Sequence, residues 1–434
     1  MSGTKTHGGT SPGKMRTVEK QTTKDGSNGN KSASGKKWVQ YFALATVPLV
    51  LVLGNSMLVP ILPDMQAKLN VSDFQSSLVI STFSVAAGLI IPLMGYLSDR
   101  FARKKIILGS LALYGVAGIV AGLGALWHSY ALLITARAFQ GIGAAGTSPI
   151  AMALVGDMYK DGEESEALGL IEASNGFGKV LSPIIGSLLA MIVWYAPLFA
   201  FPLFCAASFA AMMFFIKEPE SKQEPPSIKE YLGNIVKLFK QKGRWLISAF
   251  VSGSLGLFIL FGVLFRLSDI LEKPPYSIEG VAKGGILAIP LLGLVITSYM
   301  TGHHIKNNGT LMRRLMVIGL ALMAVSLAAA AFFYKNVWVV IGLASLSSVG
   351  TGLLLPCLNT LITGAVDRQH RGMITSLYNS LRFLGVAFGP PLFGWLASKS
   401  DILLYSVIAG LSLAGLGLVA AFVHPPKQAG DTGG

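Results

Sequence analysis

The sequence contains very little cysteine, which excludes a disulfide-stabilised protein and a protein with a cysteine metal site. Only Cys205 and Cys357 occur among 434 residues, each inside an apolar run. Two isolated cysteines form neither a disulfide framework nor a metal-ligand cluster. We therefore expect no metal and no cofactor, and we interpret both cysteines as small packing residues.

Charge is also scarce. Charged residues make up 13% of the chain, whereas soluble proteins carry about 25%. The charges cluster, which leaves apolar windows of roughly 20 residues, the length that crosses a bilayer as a helix. The sequence therefore predicts an all-α membrane protein whose main partner is the lipid bilayer.

Acidic residues are scarcer than basic ones, 21 against 35, so that the formal net charge is +14. Such an excess can indicate nucleic-acid binding. Here the basic residues lie in short loops and in the N-terminal tail, which is the pattern that sets membrane topology. We therefore expect no nucleic-acid partner.

Twelve apolar runs are long enough to span a bilayer, and they fall into two groups of six. With the N-terminus inside, loops rich in Lys and Arg alternate with loops poor in them, so we expect both termini in the cytoplasm and the chain in the plasma (inner) membrane. No cleaved signal peptide is expected, because the first apolar run is too long. The predicted spans are 38–60, 74–97, 106–126, 131–157, 165–192, 196–216, 244–268, 281–302, 313–333, 337–362, 373–397 and 402–423.

The two groups of six repeat each other at a constant offset of 207 residues. Gly178 corresponds to Gly385, and Pro183 corresponds to Pro390. Matching residues at one offset indicate a duplicated six-helix unit, and such repeats place a substrate site at their interface. The predicted organisation is a disordered basic cytoplasmic tail (1–36), an N-terminal half (37–216), a cytoplasmic linker with an amphipathic helix (217–243), a C-terminal half (244–423) and a second cytoplasmic tail (424–434).

The loop between the second and third runs reads Gly-Tyr-Leu-Ser-Asp-Arg-Phe-Ala-Arg-Lys-Lys over residues 95–105. It resembles the first-loop signature of the major facilitator superfamily, Gly-x-Leu-x-Asp-Arg-x-Gly-Arg-Arg/Lys, with Ala102 in place of the second Gly. The resemblance implies twelve transmembrane helices in two pseudo-symmetric halves, and a small-molecule transporter that works by alternating access. We expect it to be a monomer.

In that family, the loop joins an acid at the end of the fourth span in a cluster that latches the two halves together. The equivalent second-half loop, 302–309, carries Lys306 where the first loop has its acid. We therefore predict an uneven latch. The residues to which the resemblance assigns the latch are Gly95, Asp99, Arg100, Arg103 and Asp157.

The fourth span contains Arg137, Gln140 and Gly141, which resemble a second signature, found in proton-coupled members of the family. An arginine within a span is costly and usually functional. Arg137 either tunes a nearby acid or holds a substrate anion; alternatively, it extends to the lipid headgroups. The overlapping Gly-x-Gly-x-x-Gly at residues 141–146 follows no strand, so we interpret it as close helix packing.

The fifth span carries Gly-x-x-x-Ser-Pro-x-x-Gly-Ser over residues 178–187. It resembles the signature of the family's antiporters and exporters, Gly-x-x-x-Gly-Pro-x-x-Gly-Gly, with Ser182 and Ser187 in place of two of the glycines. Proline removes a helix hydrogen bond and glycine permits close approach. The motif favours export over uptake. The residues predicted to bend and pack these spans are Gly178, Pro183, Gly186, Gly385, Gly389 and Pro390.

Polar residues form a stripe on the fifth span and another on the eleventh. Glu172, Asn175 and Lys179 are spaced by three and four residues and so share a helix face, as do Asn379 and Arg382. Charges at membrane depth are penalised unless they face a wet cavity. We predict that Asn175, Lys179, Asn379 and Arg382 line the substrate cavity. The alternative is that Glu172 and Lys179 form a structural pair that contacts no ligand.

Three residues are candidates for proton coupling: Glu172 first, then Asp157, for which the latch competes, and Arg137. The chain shows no complete phosphate-binding loop, since Met15 stands where Ser or Thr is needed. It also shows no nucleophile motif. We therefore expect neither an ATPase nor an enzyme, and a transporter driven by protons.

The sequence thus predicts proton-coupled export of small amphipathic organic molecules, either drugs or a secreted metabolite. The two cations favour an anionic or catechol-like metabolite such as a siderophore. The alternatives are a proton-coupled nutrient importer of the same superfamily and a membrane receptor that does not transport.

Overall fold

A computed structural model describes residues 26–159, 161–218, 228–305, 308–364 and 371–423. The side chains of Asp99 and Glu172, and all of Lys306, lie outside the described part. The chain divides into two units, Met1–Val39 and Gln40–Gly434, and the packing reported below is that of the second unit.

Throughout the described ranges, the regular secondary structure is helical. These ranges contain fourteen α-helical segments, and a 3₁₀ turn (Val59–Ile61) separates the first two. The helices are α1 (Gly26–Ser56), α2 (Leu62–Leu69), α3 (Asp73–Arg100), α4 (Arg103–Leu126), α5 (Tyr130–Ala145), α6 (Ser148–Met158), α7 (Asp161–Ala190), α8 (Ala196–Phe215), α9 (Ile228–Glu272), α10 (Gly280–Ile305), α11 (Gly309–Phe333), α12 (Val337–Gly364), α13 (Arg371–Ala397) and α14 (Asp401–Phe422).

Ten spans in the described residues are long and apolar enough to cross a membrane by length and composition. The remaining two predicted spans correspond to α7 and α13, which have 30 and 27 residues and carry the polar stripes. Because about 20 helical residues cross the hydrocarbon core, both are long enough to complete the twelve. The all-α membrane fold predicted from the sequence is confirmed.

Two of the predicted spans are not continuous helices. The first is interrupted by the 3₁₀ turn, which begins beside Pro60, and continues as α2. The fourth breaks at Thr147, and Pro149 then occupies the first turn of α6. Proline is tolerated there because the N–H that it lacks would have no partner in a first helical turn.

The single range α9 covers two helices that meet at a kink at Lys242, whose backbone is not helical (φ −125°, ψ 18°). The first of them begins at Ile228 and lies where the linker helix is predicted. Its apolar side is partly covered, and the Phe239 and Phe250 ring centroids are 6.1 Å apart. Its position on the inner leaflet stays a prediction.

Glycines set the closest helix contacts within each half. A Cβ on Gly186 of α7 would lie 2.2 Å from the carbonyl oxygen of Met57, and one on Gly385 of α13 would lie 2.3 Å from that of Ser254 in α9. No real Cβ fits at such distances, so only glycine permits this approach. The glycine motif of α5 packs likewise, since a Cβ on Gly141 would meet the Phe83 carbonyl at 2.2 Å.

The two halves meet along α3 with α13 and along α7 with α10. Ser81 of α3 donates a hydrogen bond to the carbonyl of Ala387, and Ser380 of α13 donates one to that of Gly88. At the end of the bundle away from the loop 101–102, Ser268 of α9 donates to the Val59 carbonyl at 3.0 Å. Buried apolar side chains of the 3₁₀ turn, α2 and α9 belong to one hydrophobic cluster, which closes the interface between the halves at that end. They include Val59, Ile61, Leu62, Met65, Leu264, Leu267 and Leu271.

We predict that Gly385→Ala lowers the free energy of unfolding by about 1–3 kcal/mol, because overpacking forces two helix backbones apart. Gly410→Ala is the matched control, since nothing lies within 4 Å of a Cβ built there. Thermal unfolding of the purified protein in detergent measures both. Equal midpoints for the two variants would contradict the packing role of Gly385.

Candidate functional site

A cavity of about 110 Å³ lies where helices from both halves converge. Lys179 of α7 and Arg382 of α13 supply the charged side chains among its described lining residues. Asn55, Asn175 and Asn379 add three amides. The structure therefore brings the four predicted cavity residues together, although two of them lie about 200 residues from the others in sequence.

Hydrogen-bonding capacity is left over in this cavity. Arg382 Nη1 donates to Asn379 Oδ1 at 3.2 Å, and its guanidinium carbon lies 5.4 Å from the centre of the Tyr378 ring. Arg382 Nε and Asn175 Oδ1 are buried and have no partner among the described atoms. Buried polar groups normally find partners, so a donor and an acceptor are available to a bound molecule here.

The rest of the cavity wall is largely apolar. An apolar wall with a few placed polar groups is typical of small-molecule sites. Such a wall suits an aromatic or amphipathic molecule that also carries negative charge. The apolar lining residues are Leu51, Val52, Phe83, Pro149, Met152, Leu257, Phe261, Phe383 and Val386.

Arg137 is fully buried in the first half, so the alternative that it extends to the lipid headgroups is wrong. Its Nε donates to the Val79 carbonyl at 2.9 Å, and Nη1 donates to the Gly54 carbonyl at 3.2 Å and to Gln140 Oε1 at 2.9 Å. Nη2 donates to Asn55 Oδ1 at 3.0 Å. These acceptors hold the guanidinium in one orientation.

Asn55 connects Arg137 to the cavity, because its amide accepts from the guanidinium while the residue lines the cavity wall. Periodicity could not reveal this link, since 82 residues separate Asn55 from Arg137. The only sequence signal was a polar residue within the first apolar run. Glu172 lies on α7 about two turns before Lys179, and its coupling role stays a prediction.

At the loop end of the bundle, Arg103 Nε lies 2.6 Å from Asp157 Oδ2 and so joins α4 to α6. Glu218, which follows α8, accepts hydrogen bonds from the backbone N–H groups of Arg103 (2.6 Å) and Lys104 (2.9 Å). An anion at a helix N-terminus is stabilising. Sequence reasoning missed Glu218, because its partners lie about 115 residues away in the chain.

These described contacts lie within the first half, whereas Gly95 faces the second. A Cβ on Gly95 would lie 2.7 Å from Ser376 Oγ of α13. Its counterpart Gly302 has nothing within 4 Å. Gly95 thus packs closely against the other half, whereas its counterpart Gly302 does not. The guanidinium carbon of Arg100 lies 5.2 Å from the centre of the Tyr96 ring. The role of this cluster as a latch stays a prediction.

The opposite end carries an ion-pair network that the sequence did not reveal. Arg266 of α9 lies 2.7 Å from both Asp269 and Asp401, and Lys273 lies 2.6 Å from Asp269. The Asp401 pair ties the first turn of α14 to α9. Pairing between distant helices leaves no periodic signal in the sequence, so the Arg266–Asp401 contact could not be predicted.

The chain belongs to the major facilitator superfamily, whose family model matches residues 44–312 and 284–434. It is 44% identical over 390 residues to the "Bacillibactin exporter" of Bacillus subtilis (strain 168), covering 89% of this chain and 96% of that protein. It is 27% identical over 361 residues to "Multidrug efflux protein YfmO" of the same organism, covering 82% and 86%.

Among solved structures, the crystal structure of the human organic anion transporter MFSD10 (TETRAN) superposes with a TM-score of 0.67 at 19% identity. The match covers 88% of this chain and 99% of that one. At this identity the likeness shows the fold alone. The family and fold expected from the first-loop signature are confirmed, and the chain is a multi-pass membrane transporter.

We predict that Glu218→Ala lowers the free energy of unfolding by about 1 kcal/mol, because two N–H groups at the start of α4 lose their acceptor. Glu279→Ala serves as the control, since Glu279 is exposed in the segment between α9 and α10. Thermal unfolding in detergent compares the two. An unchanged midpoint for Glu218→Ala would show that the cap contributes nothing.

Proposed function

We propose that this chain exports an anionic organic metabolite of the siderophore kind by alternating access, with amphipathic drugs as a second class of cargo. The observation that carries the proposal is the pairing of Lys179 and Arg382 around one cavity with an apolar wall. Charge-assisted hydrogen bonds from two cations suit a molecule with anionic oxygens. Each half supplies one cation, so the bound molecule would contact both moving parts.

The names of two relatives also support export of such molecules out of the cell. The 44% identical protein is named for bacillibactin export, and others are named for efflux of multiple drugs. Export rather than uptake also agrees with the glycine-proline motif of α7. The nutrient importer and the receptor are the weaker alternatives, because no observation on the cavity favours either.

The conformation of the structure fits one stage of such a cycle. The cavity volume of about 110 Å³ is well below the roughly 300–1,000 Å³ of occupied ligand sites. The halves are sealed at the end that carries Ser268 and Val59. We propose that cargo enters from the loop end when the halves separate there, and leaves after the seal opens.

We further propose that the chain works as a monomer in the plasma membrane, with both termini in the cytoplasm, and that protons drive it. The excess of Lys and Arg in alternate loops supports the orientation. Glu172 is the proposed proton carrier, with Asp157 second. Arg137 is the less suitable candidate for proton exchange, because it is fully buried among neutral acceptors.

We predict that Lys179→Gln and Arg382→Gln each reduce transport of bacillibactin about tenfold, while transport of the uncharged dye Nile red changes little, because a lost cation weakens attraction to anions. Lys399→Gln, at an exposed lysine after α13, is the control. Uptake into inverted vesicles measures all three. Normal bacillibactin transport by both cavity variants would overturn the proposed site.

Proton coupling has its own test. We expect that a protonophore abolishes accumulation of bacillibactin in inverted vesicles energised by respiration, because export against a gradient must draw on the proton gradient. We also expect Glu172→Gln to lose uphill transport while it retains exchange of labelled for unlabelled cargo. Accumulation that survives the protonophore would rule out proton antiport.

A further inference from the structure

Arg137 carries a charge that no described carboxylate balances. Its four hydrogen-bond acceptors are carbonyl or amide oxygens, and the Phe83 ring lies 4.5 Å from its guanidinium carbon. The ion pairs among the described residues lie towards the ends of the helix bundle. Neutral oxygens solvate a buried cation, but they do not cancel its charge. A positive field therefore remains inside the first half.

That field reaches the cavity across a single layer of side chains. Asn55 accepts from Arg137 Nη2 at 3.0 Å, and Phe83 stacks on the guanidinium. Both residues also line the cavity that holds Lys179 and Arg382. Charges interact strongly over about 10 Å where the effective dielectric constant is low. A molecule in the cavity would therefore experience the charge of Arg137 although it does not touch the guanidinium.

Arg137 is also held rigidly. Tyr114 OH and Gln140 Nε2 are buried beside this cluster, and neither has a described partner. A Cβ on Gly54, whose carbonyl accepts from Arg137, would collide with Tyr114 OH. The four hydrogen bonds hold the guanidinium within the first half, where it contacts the cavity-lining residues Asn55 and Phe83. Its effect on cargo must therefore be electrostatic and must pass through the neutral amide of Asn55.

We propose that Arg137 is the third cation of the cavity, and that the neutrality of Asn55 sets the charge selectivity of this transporter. A carboxylate at position 55 would pair with the guanidinium and cancel its field. Asn55 is a specificity-determining residue in the cavity wall, and Arg137 acts through it without contacting cargo. This inference rests on the proposed function, in which the cargo is anionic.

The test is the ratio of affinities for an anionic and an uncharged probe. In Asn55→Asp we expect the preference for fluorescein over Nile red to fall about tenfold, because one positive charge near the cavity is neutralised. Affinity for the cationic dye rhodamine 123 should rise. Fluorescence titration of the purified full chain in lipid nanodiscs gives all three dissociation constants.

Matched variants separate charge from packing. Asn55→Ser weakens the amide contact without adding charge, so its affinity ratio should stay within about twofold of the parent. Arg137→Gln should reproduce the loss seen in Asn55→Asp, whereas Arg137→Lys should retain the ratio even if less protein folds. A ratio that is equal in Asn55→Asp and Asn55→Ser, or unchanged in Arg137→Gln, would overturn the inference.

The same titrations distinguish failure of this inference from failure of the proposed function. If Lys179→Gln and Arg382→Gln weaken fluorescein binding but Asn55→Asp does not, the cavity selects anions without help from Arg137, and only the inference fails. If none of these variants changes the ratio, the anionic cargo itself is refuted.

Discussion

The close approach of helix backbones at glycine is the constraint on which the rest of this structure depends. Gly186 brings α7 against the first span, and Gly385 brings α13 against α9. The polar residues of the cavity lie on these same two helices, with Lys179 beside Gly178 and Arg382 one turn before Gly385. Helix packing in lipid gains little from the hydrophobic effect, so shape and close contact must position the helices. The glycines thus place the two cations in facing halves.

Much of this arrangement was predictable from the sequence, because its causes are local or repeated. Apolar runs predict the membrane spans directly, and the 207-residue offset indicates that the chain has two equivalent halves. The spacing of Asn175 and Lys179 along α7 predicts that the two side chains lie on the same face of the helix. The breaks at Val59–Ile61 and at Thr147 were missed, since hydropathy does not register a helix that stops and restarts within the bilayer.

What the sequence could not supply were pairings between distant helices. Glu218 caps the start of α4, Arg266 binds Asp401, and Asn55 accepts from Arg137. Each contact joins residues at least 80 positions apart in the chain, so it has no periodic signature. For Arg137, sequence reasoning offered a substrate contact, a nearby acid or the headgroups. The geometry instead gives a guanidinium fixed among neutral oxygens, close to the cavity but outside it.

The partners of the charged side chains differ between the ends of the helix bundle and its interior. At the ends, cations meet carboxylates, as Arg103 meets Asp157 and Arg266 meets Asp401. In the cavity and beside it, Arg382 and Arg137 meet amides, carbonyls and aromatic rings. A buried cation without a carboxylate costs stability. In the proposed function, an anionic cargo would offset that cost. Because Lys179 and Arg382 lie in different halves, binding of the cargo would couple occupancy of the cavity to movement of one half against the other.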